Sequence, residues 1–329
     1  MLFLCNFSHT ASMTHSRTIS SNYRLIKLLS RQPIQLGRFL ARLVAGLVNT
    51  FQLSQLSKII RLNIKIAFPD MEPQQRQLLT KHAIQNELTS YFEFLSIWGA
   101  SNQKNIQRID TVQGEHYLHE ALAEKKGVVL VVPHFGTWEV MNAWLAQYTQ
   151  MTILYKPVKN PDADQFVRDA RSREQAHLVP TDESGVRQVF KALKQGGTTA
   201  ILPDHTPDHG GDMVNYFGIP LASSSLSAKL IQKTKAKALL LYTKRNEQDG
   251  FDMFIEPVNP QIYEGSAEDG TLIIHQTLEQ LIQRYPEHYH WSYKRFRANP
   301  ALKKIYDIDE QEALAQVAAV RQQAQAGIA

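Results

Sequence analysis

Two short segments of this 329-residue chain gather side chains that can move protons. The first is Pro133-His134-Phe135-Gly136-Thr137-Trp138-Glu139, directly after the apolar run Val128 to Val132. The second is Pro203-Asp204-His205-Thr206-Pro207-Asp208-His209, directly after Thr198 to Leu202. If both runs are buried strands, both segments lie just beyond carboxyl ends, where open α/β sheets place their sites. His134 with Glu139 five residues on suits general-base chemistry. Glu139, about one turn inside a helix read over Phe135 to Tyr148, would accept a hydrogen bond from one ring nitrogen of His134. The other nitrogen would then face outward as the base. No serine sits in a G-x-S-x-G elbow, and the one cysteine, Cys5, is remote. The base would therefore act on a hydroxyl of the substrate itself, and direct acyl transfer without a covalent acyl-enzyme fits. Gly136 and the free N–H groups of the helix start would polarise the acyl carbonyl.

Asp204 would orient substrate or bind a sugar hydroxyl, and Arg171, on a helix read over 162–175, would grip a phosphate or carboxylate through its planar fork. Asp204, His205 and His209 also allow a different reading, a metal-dependent hydrolase, because hard oxygen and imidazole ligands cluster there. That spacing matches no standard zinc signature, so the expectation is that the enzyme holds no metal or cofactor.

The elements that must position these groups follow from patterning. Strand and helix signals alternate after residue 98, predicting an α/β fold with a mostly parallel central sheet and helices on both faces. Before that, Glu72-Pro73 opens a helix running to about Trp98. A hydrophobic content of 43% excludes wholesale disorder, and no run reaches 18 apolar residues, so no ordinary transmembrane span is expected. Residues 1–69 carry nine basic side chains and no acid, whereas the remainder carries 27 basic against 31 acidic. Within this arm Leu36, Phe39, Leu40, Leu43, Val44, Leu47, Val48 and Phe51 follow helical spacing, with Arg38 and Arg42 mostly off the stripe. A basic amphipathic helix of this kind lies in the plane of an anionic membrane surface. Nucleic acid is not expected, because aromatic residues are not interleaved with the basic ones. Three regions follow: a membrane-docking arm at 1–69, a catalytic domain at 70–308, and a polar C-terminal helix or tail at 309–329.

An ordered set of blocks resembles the lipid A biosynthesis lauroyl/myristoyl acyltransferases, relatives of the glycerol-phosphate acyltransferases with an H-x-x-x-x-D/E motif. The blocks are Leu62-Asn63 through Phe68-Pro69, His134 to Glu139, Tyr155-Lys156-Pro157, Arg171 with Arg173, Pro203-Asp204-His205, Tyr216-Phe217-Gly218-Ile219-Pro220, and Pro286 to Arg297. The resemblance covers about residues 60–300. It implies an enzyme on the cytoplasmic face of the bacterial inner membrane. Such an enzyme takes a fatty acyl chain from acyl carrier protein and places it on the hydroxyl of a 3-hydroxyacyl chain of a lipid A precursor. His134 maps onto the motif base, Glu139 onto its acidic partner, and Lys156 stands among the substrate-binding positions where relatives often have Arg. An acyltransferase acting on another membrane lipid is the nearest alternative. The basic and aromatic residues Trp291, Tyr293, Lys294, Arg295, Phe296 and Arg297 suit a membrane interface or the acidic surface of acyl carrier protein.

Overall fold

The computed structural model describes residues 20–51, 54–207 and 210–327. Nine strands occur among them: β1 (Ile109–Gln113), β2 (Val128–Val131), β3 (Thr152–Tyr155), β4 (His177–Pro180), β5 (Thr198–Ile201), β6 (Asp212–Tyr216), β7 (Ile219–Ser223), β8 (Lys237–Arg245) and β9 (Phe251–Pro257). The central sheet has the order β1-β9-β8-β2-β5, and only the β8–β9 pair is antiparallel. β3 and β4 form a parallel pair that touches β5 through a bridge from Met151 to Thr198. β6 and β7 form a separate antiparallel hairpin.

The centre of the sheet is buried on both faces, as its continuous apolar runs require. Alternation sends Val129 and Val131 of β2 and Leu240 and Tyr242 of β8 into one apolar cluster. Val128, Leu130, Leu239 and Leu241 enter the other. The expected α/β architecture is therefore the observed one. β1, β4 and the β6–β7 hairpin, which patterning did not single out, are short and lie at edges or apart from the central sheet.

Among the described residues five helices precede the sheet: α1 (Ser21–Ser30), α2 (Ile34–Phe51), α3 (Gln55–Ala67), α4 (Pro73–Gly99) and the short α5 (Asn102–Ile106). The boundary drawn at residue 69 has no counterpart in the packing. In α3, Ile60, Leu62, Ile64 and Ile66 are core residues, and the Asn63 amide donates to the carbonyls of Trp291 and Tyr293 at 2.6 and 2.8 Å. The helix Glu310–Gln325 is likewise no loose tail. It buries Ala313, Val317 and Val320, and Arg321 donates to the carbonyls of Ile66 and Phe217.

α2 turns a narrow face of mostly small side chains inward. Ile34, Arg38, Ala41 and Ala45 are buried, while the apolar stripe is left outside, with Phe39, Leu43, Leu47 and Phe51 each more than half exposed. The reason is local. Ala41 and Ala45 are small enough for α2 to close on α4, and Arg38 finds a buried carboxylate there, its Nε lying 2.6 Å from Glu93 Oε1. Arg245, at the end of β8, reaches the same carboxylate at 2.9 Å. Burial alone would raise the Glu93 carboxyl, but Arg245 and Arg38 together hold it below its ordinary value. Arg38 is thus a structural cation and not part of a headgroup-facing surface. Among the described residues, no helix is long and apolar enough to cross a membrane.

Candidate active site

β2 and β5 run parallel in a register that pairs Val131 with Ile201. Both strands leave the sheet at the same level, so residues three steps further on, His134 and Asp204, arrive side by side. Nδ1 of His134 lies 2.8 Å from Asp204 Oδ1, and the backbone N–H of His134 donates to Oδ2 at 2.9 Å. Asp204 is fully buried, and the His134 side chain is 20% exposed. Burial alone would raise the Asp204 carboxyl. The charge and hydrogen bond of His134, with a contribution from His205, hold it well below the usual carboxylate range instead. Nε2 of His134 has no hydrogen-bond partner among the described residues.

The carboxylate that holds the imidazole is therefore Asp204, and the expected His134–Glu139 hydrogen bond is not formed. The cause lies in the backbone between them. Gly136 adopts a left-handed conformation (φ +54°), and a Cβ there would stand 2.2 Å from the Thr243 carbonyl oxygen of β8. The helix expected over Phe135 to Tyr148 is reduced to a 3-10 turn at Trp138–Val140 and the short helix Met141–Leu145. Glu139 points away from His134, and its carboxylate is already occupied. Oε1 accepts from Arg171 at 2.8 Å and from the Trp138 indole at 3.1 Å. Oε2 accepts from the Trp98 indole at 2.7 Å and from Asn142 at 3.3 Å. Glu139 bears on His134 only through Trp138, whose ring meets the imidazole edge-on at a centroid distance of 5.1 Å.

Arg171 comes into this site, but as the partner of Glu139 and of Glu174, 3.2 Å away, and not as a free anion fork. Burial pushes the Glu174 carboxyl up to about 7, while Arg171 pulls it down and Glu139 pushes it up. The unfolded chain releases that proton near pH 4.5, so the folded state holds an extra proton between pH 4.5 and about 7. Stability should fall as pH rises through that window, by roughly 3 kcal/mol, and level off above it. Glu174→Gln should remove this slope, gaining on the parent protein between pH 5 and pH 8 in urea unfolding. Parallel pH dependences of the two proteins would refute the assignment.

The Gly136 N–H is not free for an acyl oxygen, because it donates to the His288 carbonyl at 2.8 Å. Its own carbonyl meets His290 Nε2 at 3.0 Å. Together with the bridge from Phe135 to Tyr289, these bonds seat residues 288–290 against the H-F-G turn like an added strand. Lys156 lies exposed just past the end of β3. Arg295, expected at an interface, is buried and donates to Ser223 Oγ at 2.6 Å and the Ala222 carbonyl at 3.0 Å.

His205 is held between two rings. Its ring stacks on His134 (centroids 3.7 Å, planes 2° apart), and Tyr293 covers its other face, also at 3.7 Å. Burial, with the nearby His134 charge, pushes His205 down to about 4. It is therefore a neutral plate at physiological pH and does not repel a protonated His134. Asp208 and His209 lie outside the described residues, and no group of three or more potential metal ligands occurs among those described.

Reading the sequence missed Glu93, Trp98, His205 as a stacking partner, and Tyr293. For α4 a signal existed. Leu79, Ala83, Ser90, Glu93 and Ile97 follow one another at 4-7-3-4 spacing and are all buried, so the Glu93 carboxylate sits in a core stripe. Such a position demands a partner. For His205 and Tyr293, 88 residues apart in number, no local signal exists.

The model of the family described as bacterial lipid A biosynthesis acyltransferase matches residues 4–298. The lipid A biosynthesis lauroyltransferase of Escherichia coli (strain K12) is 24% identical over 249 residues, covering 74% of this chain and 80% of the relative. A lipid A biosynthesis acyltransferase of Haemophilus influenzae is 26% identical over 258 residues, covering 76% and 80%. A phosphatidylinositol mannoside acyltransferase of Mycobacterium tuberculosis is 27% identical over a shorter stretch, 42% of this chain. A family match spanning nearly all of the sequence, with an imidazole clamped by a buried carboxylate at its centre, establishes that the chain belongs to the bacterial lipid A biosynthesis acyltransferase family.

Proposed function

We propose that this acyltransferase moves a fatty acyl chain from acyl carrier protein to the hydroxyl of a 3-hydroxyacyl chain on a lipid A precursor, with His134 as general base. The observation that carries this reading is His134 Nδ1 bonded to Asp204, with Nε2 on the partly exposed side of the ring. Nε2 takes the proton from the acceptor hydroxyl as its oxygen attacks the thioester carbonyl carbon. The new C–O bond forms, the C–S bond breaks, and the imidazolium returns the proton to the departing thiolate. Asp204 holds the tautomer in which Nδ1 carries the hydrogen, and stabilises the imidazolium. Glu139 serves by holding Trp138 edge-on against the ring. No metal takes part.

The exposed apolar stripe of α2 supports a place on the cytoplasmic face of the inner membrane. A soluble protein gains nothing by leaving Phe39, Leu43, Leu47 and Phe51 in water, whereas an interfacial helix sinks such a face into the acyl boundary. The test combines purified protein with acyl-loaded carrier protein and an incompletely acylated lipid A precursor, in the presence of excess chelator. Mass spectrometry should show the precursor gaining the mass of one acyl ester, and the donor series reports the preferred chain. No mass gain with any acyl-carrier donor, or transfer that chelator abolishes, would refute the proposal.

A further inference from the structure

A groove of about 690 Å³, with His134 not among its lining residues, lies between the last turn of α2, the middle of α3 and the first turns of α4. Its lining includes four cationic side chains, Arg61, Lys65, Arg76 and Lys81, and no carboxylate. Arg61 and Lys65 share one acid, Glu310, outside the lining, at 3.0 Å from Arg61. The groove therefore keeps a surplus of three positive charges. Arg76 is braced by the carbonyls of Pro69 and Met71, which hold its guanidinium in place without neutralising it. Lys81 is exposed and forms no ion pair among the described residues.

Location selects the anion. Val48 lines the groove, and on α2 it lies four residues after Val44 and three before Phe51, both on the exposed apolar stripe. Leu78, 55% exposed, adds an apolar edge from α4. The cationic cavity thus opens at the border of the surface assigned to lipid. Along α4, Lys81 is 12 residues from Glu93, roughly 18 Å at the helical rise. Glu93 in turn accepts from Thr137, three residues beyond His134, so the groove is separate from the site at the imidazole. We infer that the groove binds the phosphate headgroup of an anionic glycerophospholipid, whose acyl chains run along the α2 stripe. Concave shape favours a headgroup over the broad surface of an acidic protein.

This inference rests on the membrane-docked reading, and two measurements separate their fates. The first is vesicle co-sedimentation with phosphatidylcholine, alone or mixed with phosphatidylglycerol, for the full chain and a Lys65→Gln/Lys81→Gln variant. The parent should bind the mixed vesicles more tightly. The variant should lose that preference, by roughly 10- to 30-fold, while still binding phosphatidylcholine through α2. A preference that survives in the variant overturns the groove and leaves the docked reading standing. The second is protection of Lys81 from an amine-reactive label by a soluble short-chain phosphatidylglycerol. If the protein binds neither vesicle, the docked reading fails and this labelling result decides the groove alone. Protection by the short-chain lipid supports it. No protection, or equal protection by inorganic phosphate or by acyl carrier protein, overturns it.

Discussion

His134→Asn should lower acyl transfer by about 10²–10⁴-fold, the usual contribution of a positioned general base. Asparagine is the informative replacement. Its side-chain amide can donate to Asp204 from about the place of Nδ1, so the buried carboxylate keeps a hydrogen bond. What the variant lacks is any group at the position of Nε2. The melting temperature should therefore stay within a few degrees of the parent while turnover collapses. Single-turnover assays with acyl carrier protein as donor would read the first quantity and differential scanning fluorimetry the second. A folded variant with full transfer would remove His134 from the mechanism.

The second large effect is expected at Asp204. Asp204→Asn keeps the size of the side chain but presents an amide where a carboxylate accepted two hydrogen bonds, from Nδ1 and from the His134 backbone N–H. An amide N–H turned toward Nδ1 forces the ring proton onto Nε2, and the base is then blocked by its own hydrogen. In hydrolases built on the same hydrogen bond, this exchange costs about 10⁴-fold. A loss of about 10³–10⁴-fold is expected here, with KM changed far less than kcat. Proton NMR provides the independent readout: the His134 Nδ1–H signal should disappear in Asp204→Asn and persist in Glu139→Gln. The opposite pattern would restore Glu139 as the partner of His134. Glu139→Gln has its own route to damage, because it leaves the buried Arg171 with only Glu174, and Trp98 and Trp138 lose a charged acceptor.

The contrast between Asp204 and Glu139 shows what kind of information each level holds. Short-range arithmetic put Glu139 beside His134, because His134 precedes the expected helix and Glu139 stands about one turn inside it. That reasoning assumed a helix, and Gly136 removes it by turning left-handed where β8 approaches too closely for a Cβ. The same arithmetic applied across strands would have succeeded. Val128 and Thr198 begin two runs of equal length, and His134 and Asp204 follow them at equal distances. Nothing in the sequence says that β2 and β5 are neighbours in register, so their pairing became visible only in the sheet.

The amphipathic stripe of α2 shows the same division. Its spacing was readable from Leu36 to Phe51, and so was the basic, acid-free character of the first 69 residues. Which side of the helix faces the protein was not readable, because it depends on Glu93 standing 55 positions away to neutralise Arg38. The sequence alone determined the α/β class, the central strands, the motif that carries His134 and the family, all of which rest on local composition and order. Only the tertiary structure decided which carboxylate clamps the imidazole, which arginines are buried struts and which histidine is a neutral plate. Those outcomes depend on contacts between residues distant in number, where burial and charge pairing override local spacing.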